Sequence, residues 1–168
     1  MGRGDANYSG IPDIMKFTGE EKFEQAREEI WDRLTDMNFI ANLIPDLERV
    51  EQIESDRFIC RVRPQFAFLS GSLKLTFEIM EADPPDHLKV LCRGKGIGAS
   101  VDVETDIRLR QESEVTILDW KGVIENRKGL LKPVSTGLIQ GAAQKIIGDF
   151  WSKLRSALDA DSDSPSQA

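Results

Sequence analysis

Between Arg57 and Asn126 the dominant period of the sequence is two. VDVETDIRLRQ (101–111) sets Val101, Val103, Thr105, Ile107 and Leu109 against Asp102, Glu104, Asp106, Arg108 and Arg110. Successive side chains of a strand point to opposite faces, so this alternation gives one face to a core and one to water. The same period runs through RFICRV (57–62), SLKLTFEIME (72–81), HLKVLC (87–92) and EVTILDWKGVIEN (114–126). In the last of these, Thr116, Leu118, Trp120 and Ile124 share a face. LERVEQIE (47–54) is a short or bulged strand, and DPPD (83–86) a turn. A long series of half-apolar strands must be antiparallel and must be covered on one face.

The flanks supply the cover. MKFTGEEKFEQA (15–26) predicts a first strand bent at Gly19. AREEIWDRLTD (26–36) puts Ile30, Trp31 and Leu34 on one helical face, and MNFIANLIPD (37–46) predicts a second short helix stopped by Pro45. From 128 to 160 the apolar spacing becomes helical: Leu131, Val134, Leu138, Ala142, Ile146, Phe150, Leu154 and Leu158. Pro133 falls early, where a helix tolerates it. A helix of about 30 residues spans roughly 45 Å, enough to cross the apolar face of a sheet. Interior glycines cost a helix about 1 kcal/mol each. Gly137, Gly141 and Gly148, with Ala142 and Ala143, therefore point to close packing or to free space. These readings predict an α+β fold: a curved antiparallel sheet of about six or seven strands wrapped around a long C-terminal helix, with two short helices after the first strand. The domain is expected over residues 14–158, with a flexible head (1–13) and a disordered acidic tail (159–168).

Composition removes several function classes. The formal net charge is -7, so nucleic acid is not an expected partner. No apolar run approaches the roughly 18 residues of a membrane span, and the start lacks a signal-peptide core. A cytoplasmic protein is expected, with any membrane contact peripheral at the inner face. Cys60 and Cys92 form no CxxC pair and read as reduced, buried thiols. His87, the only histidine, rules out a multi-histidine metal site and reads as a solvated loop residue after Pro84-Pro85. Arg3-Gly4-Asp5 and Asn7-Tyr8-Ser9 match short motifs by chance. Glu20, Glu21 and Lys22 read as solvated surface. Asp102, Glu104 and Asp106 lie along one water-facing strand face, where Arg61, Arg63, Arg108 and Arg110 are expected to pair with such carboxylates across strands. RGKGIG (93–98) is followed by a strand pattern, not a helix, and lacks GxGxxG spacing, so it predicts a hairpin or bulged bend with Gly96 or Gly98 at positive φ. Such a bend is expected to help the sheet curl.

The inward faces offer few polar groups: Thr105, Thr116, two thiols and the indole of Trp120. General acid-base chemistry needs a titratable group at the reacting atom, so no catalytic residue is assigned, and no metal or cofactor. The expected ligand-lining set is Phe39, Phe66, Phe68, Phe77, Val103, Trp120, Leu138 and Ala142. A mostly apolar pocket with a few polar groups suits a small molecule.

The order of elements resembles the helix-grip fold of the START-like (SRPBCC) superfamily, and within it the family of the carbon monoxide dehydrogenase G subunit. The resemblance rests on Phe17 and Gly19, Trp31-x-x-Leu34-x-Asp36, and Ile44-Pro45-Asp46. It rests also on Gly71 with Phe77, Gly94-x-Gly96-x-Gly98, and Thr116-x-Leu118-x-Trp120. It covers residues 14–158. Asp46 stands where the family pattern often shows Gly. Some relatives carry a long C-terminal extension, and a role that depends on one is not expected here. The resemblance implies a sheet-helix cavity for an apolar ligand of lipid or quinone type. It also implies an accessory role in assembly or membrane recruitment of a molybdenum hydroxylase-type enzyme. Two other classes share the superfamily: polyketide cyclase or hydratase-like enzymes and chaperone-activator interaction modules.

Overall fold

The computed structural model describes residues 14–162. Its strands are β1 (Met15–Phe23), β2 (Leu47–Ile53), β3 (Arg57–Val62), β4 (Leu73–Asp83), β5 (His87–Gly96), β6 (Ala99–Glu112) and β7 (Val115–Gly129). Helices α1 (Arg27–Leu34) and α2 (Met37–Ala41) lie between β1 and β2, and α3 (Thr136–Ser162) follows β7. The strands form one antiparallel sheet of seven, in the order β1-β7-β6-β5-β4-β3-β2.

The expected wrapped sheet does not form. β1 pairs with β7 and β2 with β3, and these two edge strands do not pair with each other. The sheet is open, neither curled around α3 nor closed. The glycines of RGKGIG, expected to curl it, serve a different purpose. Gly96 (φ 149°) and Gly98 (φ 75°) do take positive φ, with Ile97 at 49° between them. They reverse the chain in a two-residue hairpin between β5 and β6, so they bend no strand.

Local chemistry explains the helical corner. Ile30, Trp31 and Leu34 of α1 are buried as their spacing requires. Asp36 does not end that helix; its carboxylate accepts from the Phe39 backbone N–H and caps α2. α2 stops at Ala41, well before Pro45, and Asp46 sits at φ 58°. That left-handed position favours glycine and tolerates Asp, which accounts for the departure at this residue. Thr116, fully buried, donates from Oγ1 to the Gln25 carbonyl at 2.6 Å and ties the β1–α1 connection to β7.

α3 begins at Thr136, so Pro133 lies in the turn before it. It runs to Ser162, so residues 159–162, expected in the tail, are helical. Asp161 there pairs with Arg33 of α1. The helix buries Ile139, Trp151, Leu154 and Leu158, whereas Leu138 and Ile146 are exposed. A row stepping by four residues drifts about 40° per step on a helix of 3.6 residues per turn. The expected stripe is therefore right at Leu154 and Leu158 but has rotated off the sheet at Leu138. The two short motif matches, in residues 3–9, and residues 163–168 lie outside the described residues.

Candidate functional site

A cavity of about 350 Å³ lies between the inner face of the sheet and α3. Leu75 and Phe77 of β4, Val101 and Val103 of β6, and Trp120 of β7 form its sheet wall. Ile139, Ala142, Ile146 and Phe150 form the helix wall. Leu75, Phe77, Val103 and Trp120 are only half-buried although they face α3. Space, rather than protein, lies against part of each side chain.

Aromatic pairs shape this space. Phe58 and Phe77 stack with centroids 4.8 Å apart, which fixes the Phe77 ring on the sheet wall. Phe66 and Phe68 stack at 5.5 Å in the β3–β4 loop, where Phe66 bridges to Leu69. They line the cavity together with the Ile44-Pro45-Asp46 turn and α3. Trp120 lies over Gly19: a Cβ added there would come within 2.5 Å of the indole. Only glycine permits this approach. Trp120 also meets Trp151 of α3, with centroids 6.4 Å apart.

Six of the eight expected lining residues come together here: Phe66, Phe68, Phe77, Val103, Trp120 and Ala142. Phe39 and Leu138 do not. Phe39 packs under the Arg33 guanidinium, 4.8 Å from its ring centroid, and against the core rather than the cavity. Leu138 is 56% exposed because of the helical drift described above. Leu75, Val101 and Thr105 also line the cavity, and strand alternation already placed them on its face.

No periodicity or motif marks Arg127. It is 5% exposed, lines the cavity, and donates from one guanidinium nitrogen to the Leu131 and Val134 carbonyls, each at 3.2 Å. It thereby fixes the β7–α3 connection. Arg127 and Asp46 are the charged residues of the lining among those described. Cys92 lines the cavity half-buried, and Cys60 on β3 is fully buried; both are free thiols. Burial, with Glu51 nearby, pushes Cys60 up to about 11. Burial, with Cys60 and Asp102 nearby, pushes Cys92 up to about 12. Both therefore stay protonated at neutral pH and are poor nucleophiles.

The outer face of the sheet is a field of ion pairs. Asp102 is met by Arg93 at 3.5 Å and by Asn126 at 2.9 Å. Arg63 meets Glu48 at 3.0 Å, Arg61 meets Glu51 at 3.4 Å and Arg110 meets Asp119 at 3.2 Å, as cross-strand pairing anticipated. His87 is not a solvated loop residue. It opens β5 with its side chain 14% exposed, and Nε2 lies 2.9 Å from Asp106. Glu21 is not free surface either; it turns toward α3 and holds Arg155 at 3.0 Å.

A family model for the G subunit of carbon monoxide dehydrogenase (CoxG) matches residues 19–159. The chain belongs to the CoxG family. Among curated proteins, none matches this family member in sequence. A conserved protein from Geobacillus kaustophilus is similar in structure, with TM-score 0.78 and 23% identity over 87% of this chain and 96% of that one. A START superfamily protein from Mycobacterium smegmatis gives TM-score 0.64 at 10% identity, over 86% of this chain and 97% of its own. Ara h 8.0201 gives 0.63 at 13%, over 87% and 99%. At such identities these likenesses speak for the helix-grip fold alone. Among the described residues, no helix of this CoxG family member is long and apolar enough to cross a membrane.

Proposed function

We propose that this chain is a non-catalytic accessory protein that holds an apolar ligand, lipid-like or quinone-like, between its sheet and α3. In this role it assists assembly or membrane recruitment of a molybdenum hydroxylase-type oxidoreductase, acting in the cytoplasm and at the inner membrane face. The observation that carries the reading is the cavity of about 350 Å³ and its lining. Aliphatic and aromatic side chains form nearly all of it, with Thr105, Cys92 and the two charged residues as its few polar features. Such a wall suits an apolar guest and offers little to a reaction that must move protons. The two thiols, held protonated by burial, add no nucleophile. Family membership supports the accessory role.

Native mass spectrometry of protein purified from its source tests this. A co-purifying lipid or quinone, released on denaturation, is the expected result. Protein that arrives empty, and whose melting temperature does not change on delipidation, would sink the proposal.

A further inference from the structure

A groove of about 620 Å³ opens beside the cavity, between the edge strand β1 and α3. Two missing side chains help to build it. The inward positions of β1 run Phe17, Gly19, Glu21, so the middle one is bare. On α3, Gly148 lines the groove, and a Cβ there would meet nothing within 4 Å. Phe17, Trp120, Ile147 and Trp151 line both the groove and the cavity. These four side chains are therefore one wall with two sides.

The two sides differ in chemistry. The cavity side is almost wholly aliphatic and aromatic. The groove side adds Lys16, Gln140, Gln144 and the Glu21–Arg155 pair. Glu21, the one carboxylate there, is taken up by Arg155 at 3.0 Å. Lys16 has no carboxylate partner among the described residues, and the Gln140 and Gln144 side-chain amides have no hydrogen-bond partner among them. Trp120 contributes a further unused donor. Its Nε1 is buried without a partner and lies against Gly19, where an added Cβ would come within 2.6 Å of it. An N–H shut away from water with no acceptor costs stability, and an acceptor brought by a guest would recover that cost. The groove thus has more donors than acceptors, and its cations Lys16 and Arg155 outnumber Glu21.

We infer that this groove is the head-group site of the cavity's guest, and that the guest is a single-chain amphiphile with an oxyanion head, a carboxylate or a phosphate. The chain occupies the cavity, and the head lies beyond Trp120 and Trp151, within reach of Lys16, Gln144 and the Trp120 N–H. Hydrogen bonds to a charged acceptor are the strong ones, and an anion answers the surplus cation as well as the donors. A neutral head would answer the donors and leave the charge unmatched. The place of the chain rests on the proposed function, which this assignment narrows to an acidic lipid.

Titration of the full chain with palmitate, hexadecyl phosphate and hexadecanol, below micelle formation and at mildly alkaline pH, tests this. The three share one chain length, so differences in affinity read the head. At least one anion should bind about ten-fold tighter than the alcohol, and the tighter of the two tells carboxylate from phosphate. Lys16→Gln and Gln144→Ala should each weaken the anions about three- to five-fold and leave hexadecanol unchanged. Both side chains are exposed, so Tm should hold. Gly148→Leu should raise Tm, since it replaces a helix glycine that faces open space, and yet weaken the anions. A groove that served packing alone would move Tm and affinity together. In a proton–nitrogen correlation spectrum, the Trp120 indole signal should shift downfield with an anion bound, while that of Trp31, which lines neither space, stays. Equal affinity for all three probes, an anion preference that survives both Lys16→Gln and Gln144→Ala, or an unmoved Trp120 signal would overturn the inference and leave the proposed function standing. If none of the three chains binds, the proposed function falls and takes the head-group site with it.

Discussion

Val103 faces the cavity from β6, opposite Cys92 on β5 and Ile124 on β7. Replacing it with Phe tests whether the space is real. The benzyl side chain of Phe brings about four more carbons than the isopropyl side chain of Val. At about 0.8 kcal/mol per buried methylene the ceiling is about 3 kcal/mol. Fixing the larger side chain takes about 0.5–1 kcal/mol from that. A cavity of about 350 Å³ admits one ring without displacing its walls, given that liquid water takes about 30 Å³ per molecule. The net gain of about 2 kcal/mol should raise Tm by about 4–8 °C for a chain of this size. In a filled core the same change would instead cost about 1–3 kcal/mol, so the sign alone decides. Differential scanning calorimetry with and without palmitate or a short-tailed quinone gives the second readout. A bound probe at about 100-fold its Kd should stabilise wild type by about 2.7 kcal/mol and Val103→Phe far less. A lower Tm together with an undiminished probe response would refute the reasoning.

Gly19→Ala should destabilise by about 1–3 kcal/mol, read as a lower urea midpoint, because its Cβ meets the Trp120 indole at 2.5 Å. Arg127→Met should lose about 2–4 kcal/mol by leaving the Leu131 and Val134 carbonyls without their charged donor, and hydrogen exchange should speed up around the start of α3. The thiols predict a pH slope. Their folded pKa values, about 11 and about 12, lie above the usual 9.0, so the folded chain keeps protons that the unfolded chain releases. Their contribution to stability is full below pH 9.0 and is lost as pH rises toward 11 and 12. Urea melts across that window should show the slope, and Cys60→Ala should flatten it; an unchanged slope would contradict the assignment.

Most of the sheet was legible because half-buried antiparallel strands write their two faces into alternate residues. Val101, Val103 and Thr105 were placed correctly by that rule alone. The openness of the sheet was not legible, since periodicity reports faces and not which edges meet. Glycine at 94, 96 and 98 suggested curvature, yet Gly96 and Gly98 serve a two-residue hairpin and Gly94 sits in the paired interior of β5. On α3 a row stepping by four failed at Leu138 and held at Leu154, because the drift grows with distance from the well-packed end. Arg127 left no mark in the pattern. Its partners are carbonyls of a turn whose path depends on tertiary packing. His87 and Glu21 were misread for a related reason: a polar residue near a strand end looks like surface until the partner strand or helix is in place.

An open sheet leaves two rows of backbone groups that another chain could copy. Long, flat, apolar edges invite such copying. β2 is poorly suited to it: its register against β3 breaks twice, and Glu48, Arg49 and Glu51 project from it. β1 carries Lys16, Glu20 and Lys22 on its water-facing side, and its Glu21 and Lys22 are held by Arg155. Charge and irregular register thus do for this domain what ring closure does for a barrel. The molecule can keep a gap between sheet and helix without offering a template for fibrils.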